Sequence, residues 1–117
     1  MSWQILRLPE FDGWFDALER SDREALDAKI AALRLLGPGL GRPHADTIDG
    51  SRHSNMKELR ARQTLRVFFA FDPKRRAVLL IGGDKRGDSR FYRRMIPWAD
   101  GLYDRYLASL DEGDDSR

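Results

Sequence analysis

Two apolar runs that follow each other closely constrain the fold of this chain more than any other feature. Residues 65–71 read LRVFFAF, residues 77–81 read AVLLI, and the polar connector at residues 72–76 reads DPKRR. Both runs are rich in β-branched and aromatic residues, and a short connector with Asp and Pro is typical of a turn. The pattern predicts a β-hairpin. Because its first run is apolar on both faces, we expect that run to be a central strand.

The N-terminal third predicts a short strand and a helical hairpin. Residues 3–8 alternate weakly and stop before a proline, and Asp12 can cap a short helical turn. Residues 21–24 read SDRE, the pattern of a capping box, so a longer helix is expected to begin there and to end at the GPG of residues 37–39. The apolar face of this helix consists of Leu26, Ile30, Leu33 and Leu36.

Residues on either side of the hairpin predict two further elements. Residues 40–53 have the composition of a loop, and residues 54–62 predict a strand that alternates between two faces. A helix is expected to begin at Asp88 or Ser89 and to be kinked or divided at Pro97. One face of the strand would carry Met56, Glu58, Arg60 and Arg62, and the other Lys57, Leu59 and Ala61. The apolar stripe of the last helix would contain Phe91, Met95, Trp98, Leu102 and Tyr106.

These elements follow the order β-αα-βββ-α, which predicts a compact α+β fold. We expect a small curved antiparallel sheet of about four strands, with an N-terminal helical hairpin and a C-terminal helix packed on one face. A chain of 117 residues has the length of one ordinary domain. We assign residues 1–110 to that domain and expect the polar residues 111–117 to be a mobile tail.

Composition excludes several classes of protein. The chain has no cysteine, which excludes disulfides and thiolate metal sites. No apolar run reaches the length of a membrane span, and the first residues, MSWQ, do not have the pattern of a signal peptide. We therefore expect a cytoplasmic protein that has no membrane partner.

Charge is strongly segregated along the chain. The total net charge is only +2, but residues 51–94 carry thirteen Lys or Arg against four Asp or Glu, a net charge of +9. Residues 1–50 carry −3 and residues 95–117 carry −4. A basic middle between acidic flanks indicates a surface that meets a polyanion, most simply phosphate groups. Arginines that only solubilise the surface are the alternative interpretation.

Arg66 is unusual because it lies in the middle of the apolar run at residues 65–71. Burying a guanidinium is costly unless its charge is paired. The sequence leaves two possibilities. Glu58 on the preceding strand could pair with Arg66 across the sheet, or Arg66 could lie on an open face that is presented to a ligand.

Four short motifs occur together in a recognisable order. Residues 56–60 read MKELR, residues 65–72 read LRVFFAFD, residues 79–86 read LLIGGDKR, and residues 90–92 read RFY. In order, spacing and chain length they resemble the RelE/ParE superfamily of bacterial toxins, and within it the HigB-like toxins of type II toxin–antitoxin systems. The resemblance covers almost the whole chain and is strongest over residues 55–107.

This resemblance implies a ribosome-dependent endoribonuclease that cuts mRNA in the ribosomal A site and needs no metal or other cofactor. It implies as partners a cognate helix-turn-helix antitoxin, mRNA and the 70S ribosome with its 16S rRNA, and operator DNA only through the antitoxin. Cutting RNA without a metal requires the 2′-hydroxyl to attack phosphorus. A base must then take its proton, an acid must protonate the leaving oxygen, and fixed cations must stabilise the added charge.

The resemblance also implies roles for individual residues. Arg66 falls where the family has a strand arginine that contacts the scissile phosphate. Lys85 and Arg86 match a basic pair after the last strand, and Arg86 is the better candidate for stabilising charge or acting as the acid. Tyr92 matches a tyrosine that stacks on a base or transfers a proton.

The identity of the general base stays open among three residues. Lys57 and Arg60 lie on the strand where relatives place basic catalytic groups, but Glu58 interrupts the family's lysine spacing there. Unperturbed lysine and tyrosine have a pKa of about 10, so nearby cations would have to lower the pKa of Lys57 or Tyr92. His53 is the third candidate, because imidazole titrates near neutral pH.

The remaining basic residues are expected to bind RNA, in part through the rRNA backbone. The predicted RNA-binding residues are Lys85, His53, Arg62, Lys74, Arg75 and Arg76.

Three functions remain open from sequence. The first is the ribosome-dependent ribonuclease, which is favoured because Arg66, Arg86 and Tyr92 occur together. The second is a ParE-like inhibitor of DNA gyrase, which shares the fold but lacks that set of residues. The third is a family member without catalytic activity that only binds a partner and takes part in regulation.

Overall fold

The computed structural model describes the backbone of residues 2–115 and the side chains of residues 2–111. Its elements in chain order are β1 (Ile5–Arg7), α1 (Pro9–Asp16), α2 (Arg20–Leu36), a 3₁₀ turn (Gly37–Gly39), β2 (Ala45–Thr47), β3 (Met56–Ala61), β4 (Leu65–Phe71), β5 (Ala77–Asp84) and α3 (Phe91–Asp115). The predicted α+β class and the predicted hairpin of β4 and β5 are confirmed.

The strands form one five-stranded sheet in the order β1-β5-β4-β3-β2. β4 is central, as its apolar character on both faces predicts. The sheet is mixed, because β1 runs parallel to β5 while the other neighbours are antiparallel. The fifth strand, β2, lies in the segment expected to be a loop. Three residues are too few to show a strand pattern, and β2 is defined by its pairing with β3.

Helices cover both faces of the sheet, so the expectation that they pack on one face is wrong. α1 and α2 bury Phe11, Leu26 and Leu33 in one core with Val67 and Phe69 of β4. On the other face, the second core joins α3 to the alternate positions of β4 and β5; it includes Phe68, Ala70, Val78, Leu80, Phe91, Met95, Ala99, Leu102 and Tyr103. Apolar residues at alternate positions of β4 supply one core on each side.

The ends of the first two helices differ from the expectation. α1 begins at Pro9, where the missing N–H costs no hydrogen bond. α2 begins at Arg20 after Glu19, and no side chain caps it, so the predicted capping box at Ser21 does not form. Leu36, expected on the buried face, is half exposed at the end of α2.

α3 continues through Pro97 as one helix, so the expected division there does not occur. Trp98 is 48% exposed, and Ala99 takes the buried place next to it. The helix runs to Asp115 and so includes part of the predicted tail, whose last residues, 116 and 117, lie outside the described residues. Within the described part of the chain, every helix is too short or too polar to cross a membrane.

Candidate functional site

Strand register brings a row of charged side chains onto the face of the sheet that α3 covers. Asp46 of β2 is directly opposite Glu58 of β3, and Arg60 of β3 is directly opposite Arg66 of β4. Directly opposed residues of antiparallel strands project from the same face. Glu58 and Arg60 are two positions apart on β3 and share that face as well. Tyr92, in the first turn of α3, contacts this row of side chains through Glu58.

Glu58 is the centre of the cluster. Its side chain is almost fully buried, because the residue is only 3% exposed. The Tyr92 hydroxyl donates a hydrogen bond to Glu58 Oε1 at 2.7 Å, and Arg60 Nε donates to Glu58 Oε2 at 2.9 Å. Arg66 Nε lies 3.7 Å from Glu58 Oε1. One buried carboxylate therefore contacts a phenol and two guanidinium groups.

Arg66 pairs with Glu58, the partner that the sequence offered as one of two possibilities. The arginine is 7% exposed, and its Nη1 donates to the backbone oxygen of Leu65 at 3.0 Å. Its Nε is buried and has no hydrogen-bond partner within the described residues. A buried cation next to one carboxylate is a charge fixed in position, which is the arrangement needed to stabilise an anion that forms during a reaction.

Arg60 extends the cluster toward the edge of the sheet. One of its terminal nitrogens lies 3.3 Å from Asp46 Oδ2, and Arg42 Nε lies 2.8 Å from the same oxygen. The Arg42 hydrogen bond is the largest cause that lowers the pKa of Asp46, followed by the backbone N–H of Thr47. Asp46 thus ties the guanidinium of Arg60 to β2, and Arg60 bridges two carboxylates.

The surroundings of Tyr92 raise the pKa of its phenol. Burial is the largest cause, and the hydrogen bond to Glu58 adds to it, while the neighbouring Arg66 acts in the opposite direction. The phenol therefore keeps its proton at neutral pH in this state. This favours Tyr92 as a proton donor over Tyr92 as a base.

An open cleft of about 420 Å³ gives access to the cluster. Glu58, Arg60 and Tyr92 line it together with Lys85, which follows the last strand, and with residues of β2 and the loop after it. The cleft lining includes the Glu58 carboxylate, the cations of Arg60 and Lys85 and the Tyr92 phenol, which are the kinds of group that acid–base chemistry at a phosphate requires; Asp46 and Asp49 add two further carboxylates. In the described part of the chain, no group of three or more His, Asp or Glu side chains is placed to hold a metal ion.

Two of the predicted catalytic residues lie apart from the cluster. Lys57 is opposite Phe69, on the face that α2 covers, and its Nζ lies 3.5 Å from Thr47 Oγ1. Arg86 is exposed in the loop after β5, where its backbone N–H donates to Asp84 Oδ1. Within the described residues, no hydrogen bond or ion pair joins the side chain of either residue to Glu58.

His53 and Arg62 also lie away from Glu58. His53 Nε2 is 2.7 Å from Asp104 Oδ1 on α3, and its ring packs edge-on against Tyr103. Arg62 occupies the turn after β3 and pairs with Asp22 of α2 at 3.4 Å.

Two residues of the β4–β5 turn are held by the protein itself. Arg76 donates to Asp72 Oδ2 and to the Tyr106 hydroxyl, and the guanidinium of Arg75 stacks over the ring of Trp3. Lys74 is exposed in the same turn.

Glu58 and Asp46 are the two residues that sequence reasoning did not assign to the site. The sequence indicates Glu58 only as a possible partner for Arg66 and as a break in the lysine spacing. The available signal was an acidic residue on the same strand face as Arg60. Asp46 carried no local signal, because β2 was not recognised.

Comparison with known proteins shows the family of the chain. Residues 13–104 match the family model described as "Phage derived protein Gp49-like (DUF891)". The chain belongs to this Gp49-like family. A protein of Mycobacterium tuberculosis (strain ATCC 25618 / H37Rv) named "Putative toxin HigB3" is 45% identical over 111 residues, which cover 93% of the Gp49-like chain and 97% of the relative. A second protein of the same strain, "Putative toxin HigB2", is 41% identical over 104 residues, which cover 85% of this chain and 52% of that relative.

Solved structures share the fold of this Gp49-like protein. An arginine-to-alanine variant of the Escherichia coli toxin RelE in the free state matches with a TM-score of 0.58 and 13% identity, covering 78% of this chain and 92% of that one. A chain of the archaeal RelE–RelB complex from Pyrococcus horikoshii OT3 matches with a TM-score of 0.57 and 15% identity, covering 76% of this chain and 100% of that one. The predicted membership of the RelE/ParE superfamily, HigB-like subgroup, is confirmed.

Proposed function

We propose that this Gp49-like protein is the toxin of a type II toxin–antitoxin system and cleaves mRNA in the ribosomal A site without a metal. The observation that carries the proposal is the 2.7 Å hydrogen bond from Tyr92 to Glu58 at an open cleft, where Glu58 also contacts Arg60 of the cleft lining and the buried Arg66. The toxins named among its relatives and the RelE fold support the same function.

Glu58 is the proposed general base. It accepts hydrogen bonds from Tyr92 and Arg60, so its oxygens are acceptors in the resting state. In the reaction, Glu58 takes the proton of the ribose 2′-hydroxyl while the 2′-oxygen forms a bond to phosphorus. Arg66 and Arg60, within 3.7 Å and 2.9 Å of the carboxylate, supply positive charge beside the pentacoordinate phosphorus.

Tyr92 is the proposed general acid. Its phenol donates a proton to the departing 5′-oxygen as the bond from phosphorus to that oxygen breaks, which leaves a 2′,3′-cyclic phosphate and a 5′-hydroxyl. Glu58 then holds the proton taken from the 2′-hydroxyl. Because the two side chains already share a hydrogen bond of 2.7 Å, that proton can pass to the tyrosinate and restore the starting state.

The proposed partners are an antitoxin, mRNA and the ribosome. Solved neighbours include a toxin–antitoxin complex, RelBE2 from Mycobacterium tuberculosis, with a TM-score of 0.57. Arg86 and Lys74 are exposed at loops that adjoin the sheet, and we propose that they bind rRNA rather than the scissile phosphate. Lys85 lines the cleft and is proposed to bind the mRNA strand.

A cleavage assay on programmed ribosomes tests the proposal. Wild-type protein should break the message within the A-site codon, as detected by toeprinting. Glu58→Gln keeps the shape of the side chain but removes the base, so we expect the rate to fall by at least about 100-fold. Lys57→Ala is the matched control on the opposite face of β3, and there the geometry predicts a rate within a few-fold of the wild-type rate.

A large loss of rate in Lys57→Ala, together with a nearly wild-type rate in Glu58→Gln, would assign the base to Lys57. A message that stays intact with wild-type protein, while cells expressing the protein still stop growing, would reject the ribonuclease. Gyrase supercoiling would then be the next activity to measure.

A further inference from the structure

We propose that a second cleft, on the other side of Tyr92 from Glu58, binds the nucleotide next to the scissile phosphate. This inference rests on the proposed function, because it takes the ligand to be a single RNA strand lying in the Glu58 cleft. The second cleft has a volume of about 450 Å³ and lies between α3 and the loop before β3. Ligand sites in proteins commonly have volumes of about 300–1,000 Å³, so one nucleotide is a reasonable occupant.

The two clefts adjoin each other. Tyr92 and Ile96, one turn apart on α3, line both of them. A strand whose scissile phosphate lies at Glu58 therefore passes Tyr92 and reaches the second cleft without leaving the protein surface.

The lining of the second cleft has the two parts that a nucleotide needs. Ile96, Pro97 and the ring of Tyr92 form an apolar wall against which a base can pack. Arg52 and Arg93 supply positive charge for a phosphate, and the planar fork of arginine matches phosphate oxygens. Both side chains are exposed, and within the described residues the guanidinium of Arg93 makes no hydrogen bond or ion pair, whereas that of Arg52 pairs with Asp104.

Asp100 fixes the loop that forms the other side of this cleft. Its carboxylate is buried, since the residue is 3% exposed. Oδ1 accepts a 2.5 Å hydrogen bond from Ser51 Oγ, and Oδ2 accepts one of 3.1 Å from the Arg52 backbone N–H. The Arg52 guanidinium in turn pairs with Asp104. The cleft is therefore formed before any ligand binds, which reduces the entropy cost of binding.

Binding of a 2′-O-methyl RNA hexanucleotide, followed by fluorescence anisotropy over a range of salt concentrations, tests this site. The methyl groups block cleavage, so the assay measures binding alone. We expect Arg93→Ala to weaken binding of the RNA about tenfold. The dependence of the binding constant on salt concentration should fall by roughly the amount that one phosphate contact contributes. Arg52→Ala should also weaken binding of the RNA.

Arg94→Ala is the matched control. Arg94 is the next residue on α3, is also exposed, and pairs with Asp88 outside both clefts. Equal losses in Arg93→Ala and Arg94→Ala would overturn the site in favour of diffuse surface charge. An undiminished affinity in Arg93→Ala, or no binding by the wild-type protein, would also overturn it. The A-site cleavage assay is read separately, so a failure of the proposed ribonuclease and a failure of this subsite give different results.

Discussion

At the scale of single residues, the contact between Glu58 and Tyr92 determines the chemistry of the site. A phenol that donates to a buried carboxylate loses its proton less readily than a free phenol. Burial raises the pKa of Tyr92 most, the Glu58 hydrogen bond raises it further, and Arg66 lowers it. The proton thus stays on Tyr92 until substrate separates the two groups or takes the proton.

Glu58→Gln should lower the pKa of Tyr92. The substitution removes the negative charge that favours the protonated phenol and leaves only a neutral amide oxygen to accept the Tyr92 hydrogen bond, while Arg66 remains to favour the tyrosinate. The measurement is an NMR titration of the tyrosine ring carbons at alkaline pH, with Tyr92→Phe used to assign the resonance. A Tyr92 pKa equal to that of the wild-type protein would show that the two groups are not coupled in solution.

At the scale of elements, the sheet depends on close approach at two glycines of β5. A Cβ placed on Gly82 would lie 2.2 Å from the indole of Trp14, and one on Gly83 would lie 2.8 Å from the ring of Phe91. The two aromatic residues belong to α1 and α3, so Gly82 and Gly83 let a helix from each end of the chain pack directly on the strand.

Gly82→Ala should lower the free energy of unfolding by about 1–3 kcal/mol or more, because the indole has to move. Gly13→Ala is the control: it lies inside α1 with no atom within 4 Å of the added carbon. There the change should raise stability by roughly 0.5–1 kcal/mol, since alanine favours helix over glycine. Urea denaturation of both variants checks the pair. If Gly82→Ala and Gly13→Ala changed the free energy of unfolding in the same way, the close packing of Trp14 on Gly82 would be contradicted.

The β4–β5 turn is held by a buried carboxylate. Asp72 accepts hydrogen bonds from Arg76, from the Tyr106 hydroxyl at 2.6 Å, and from the Lys74 backbone N–H. Burial acts to raise the pKa of Asp72, but the bonds from Tyr106 and Arg76 outweigh it and lower the pKa. Burial, and then the bond to Asp72, raise the pKa of Tyr106.

Asp72→Asn should destabilise the protein by about 2–4 kcal/mol at pH 7, because the partly buried Arg76 guanidinium loses its charged partner and the buried hydrogen bonds to the carboxylate are weakened. A carboxyl with a lowered pKa stabilises the fold above its ordinary pKa of about 4 and loses that contribution as the pH falls through its folded value. The difference between the wild-type protein and Asp72→Asn should therefore shrink in acid. Asp88→Asn, at a more exposed ion pair, should cost under about 1 kcal/mol in the same urea titrations.

At the scale of the whole molecule, the sheet separates a face closed by an apolar core from the face that carries the candidate site. α1 and α2 close one side with an apolar core. On the other side, α3 covers only part of the sheet and leaves the cleft open at Glu58, Arg60 and Lys85. Substitutions in the cleft therefore lie on the opposite side of the sheet from the core that α1 and α2 form.

Arg66→Ala and Tyr92→Phe should each abolish growth arrest when the protein is expressed alone, because each removes a group from the proposed cleavage site. Both variants should still co-purify with the cognate antitoxin. Circular dichroism serves as the folding control, and it matters most for Arg66→Ala because that substitution leaves a buried carboxylate with one partner fewer. Full toxicity in both variants would reject the assignment of the site.

The sequence by itself determined the parts of this protein that depend on local pattern. The two apolar runs predicted β4 and β5, and the order of motifs indicated the family. The single charge in an apolar strand pointed to Arg66 and to Glu58 as its partner. Local residue spacing encodes these features. The alternation of side chains along a strand also placed Lys57 and Arg60 on opposite faces of β3.

Only the tertiary structure decided which face of the sheet carries the candidate site. The parallel pairing of β1, the edge strand β2 and the placement of α3 opposite α1 and α2 all depend on contacts between segments far apart in sequence. The bond between Tyr92 and Glu58 joins residues 34 positions apart, and it exists because α3 packs on β4 and β5 with its first turn next to β3. No local period encodes such an arrangement, since it is set by how two helix layers bury the apolar residues on both sides of β4.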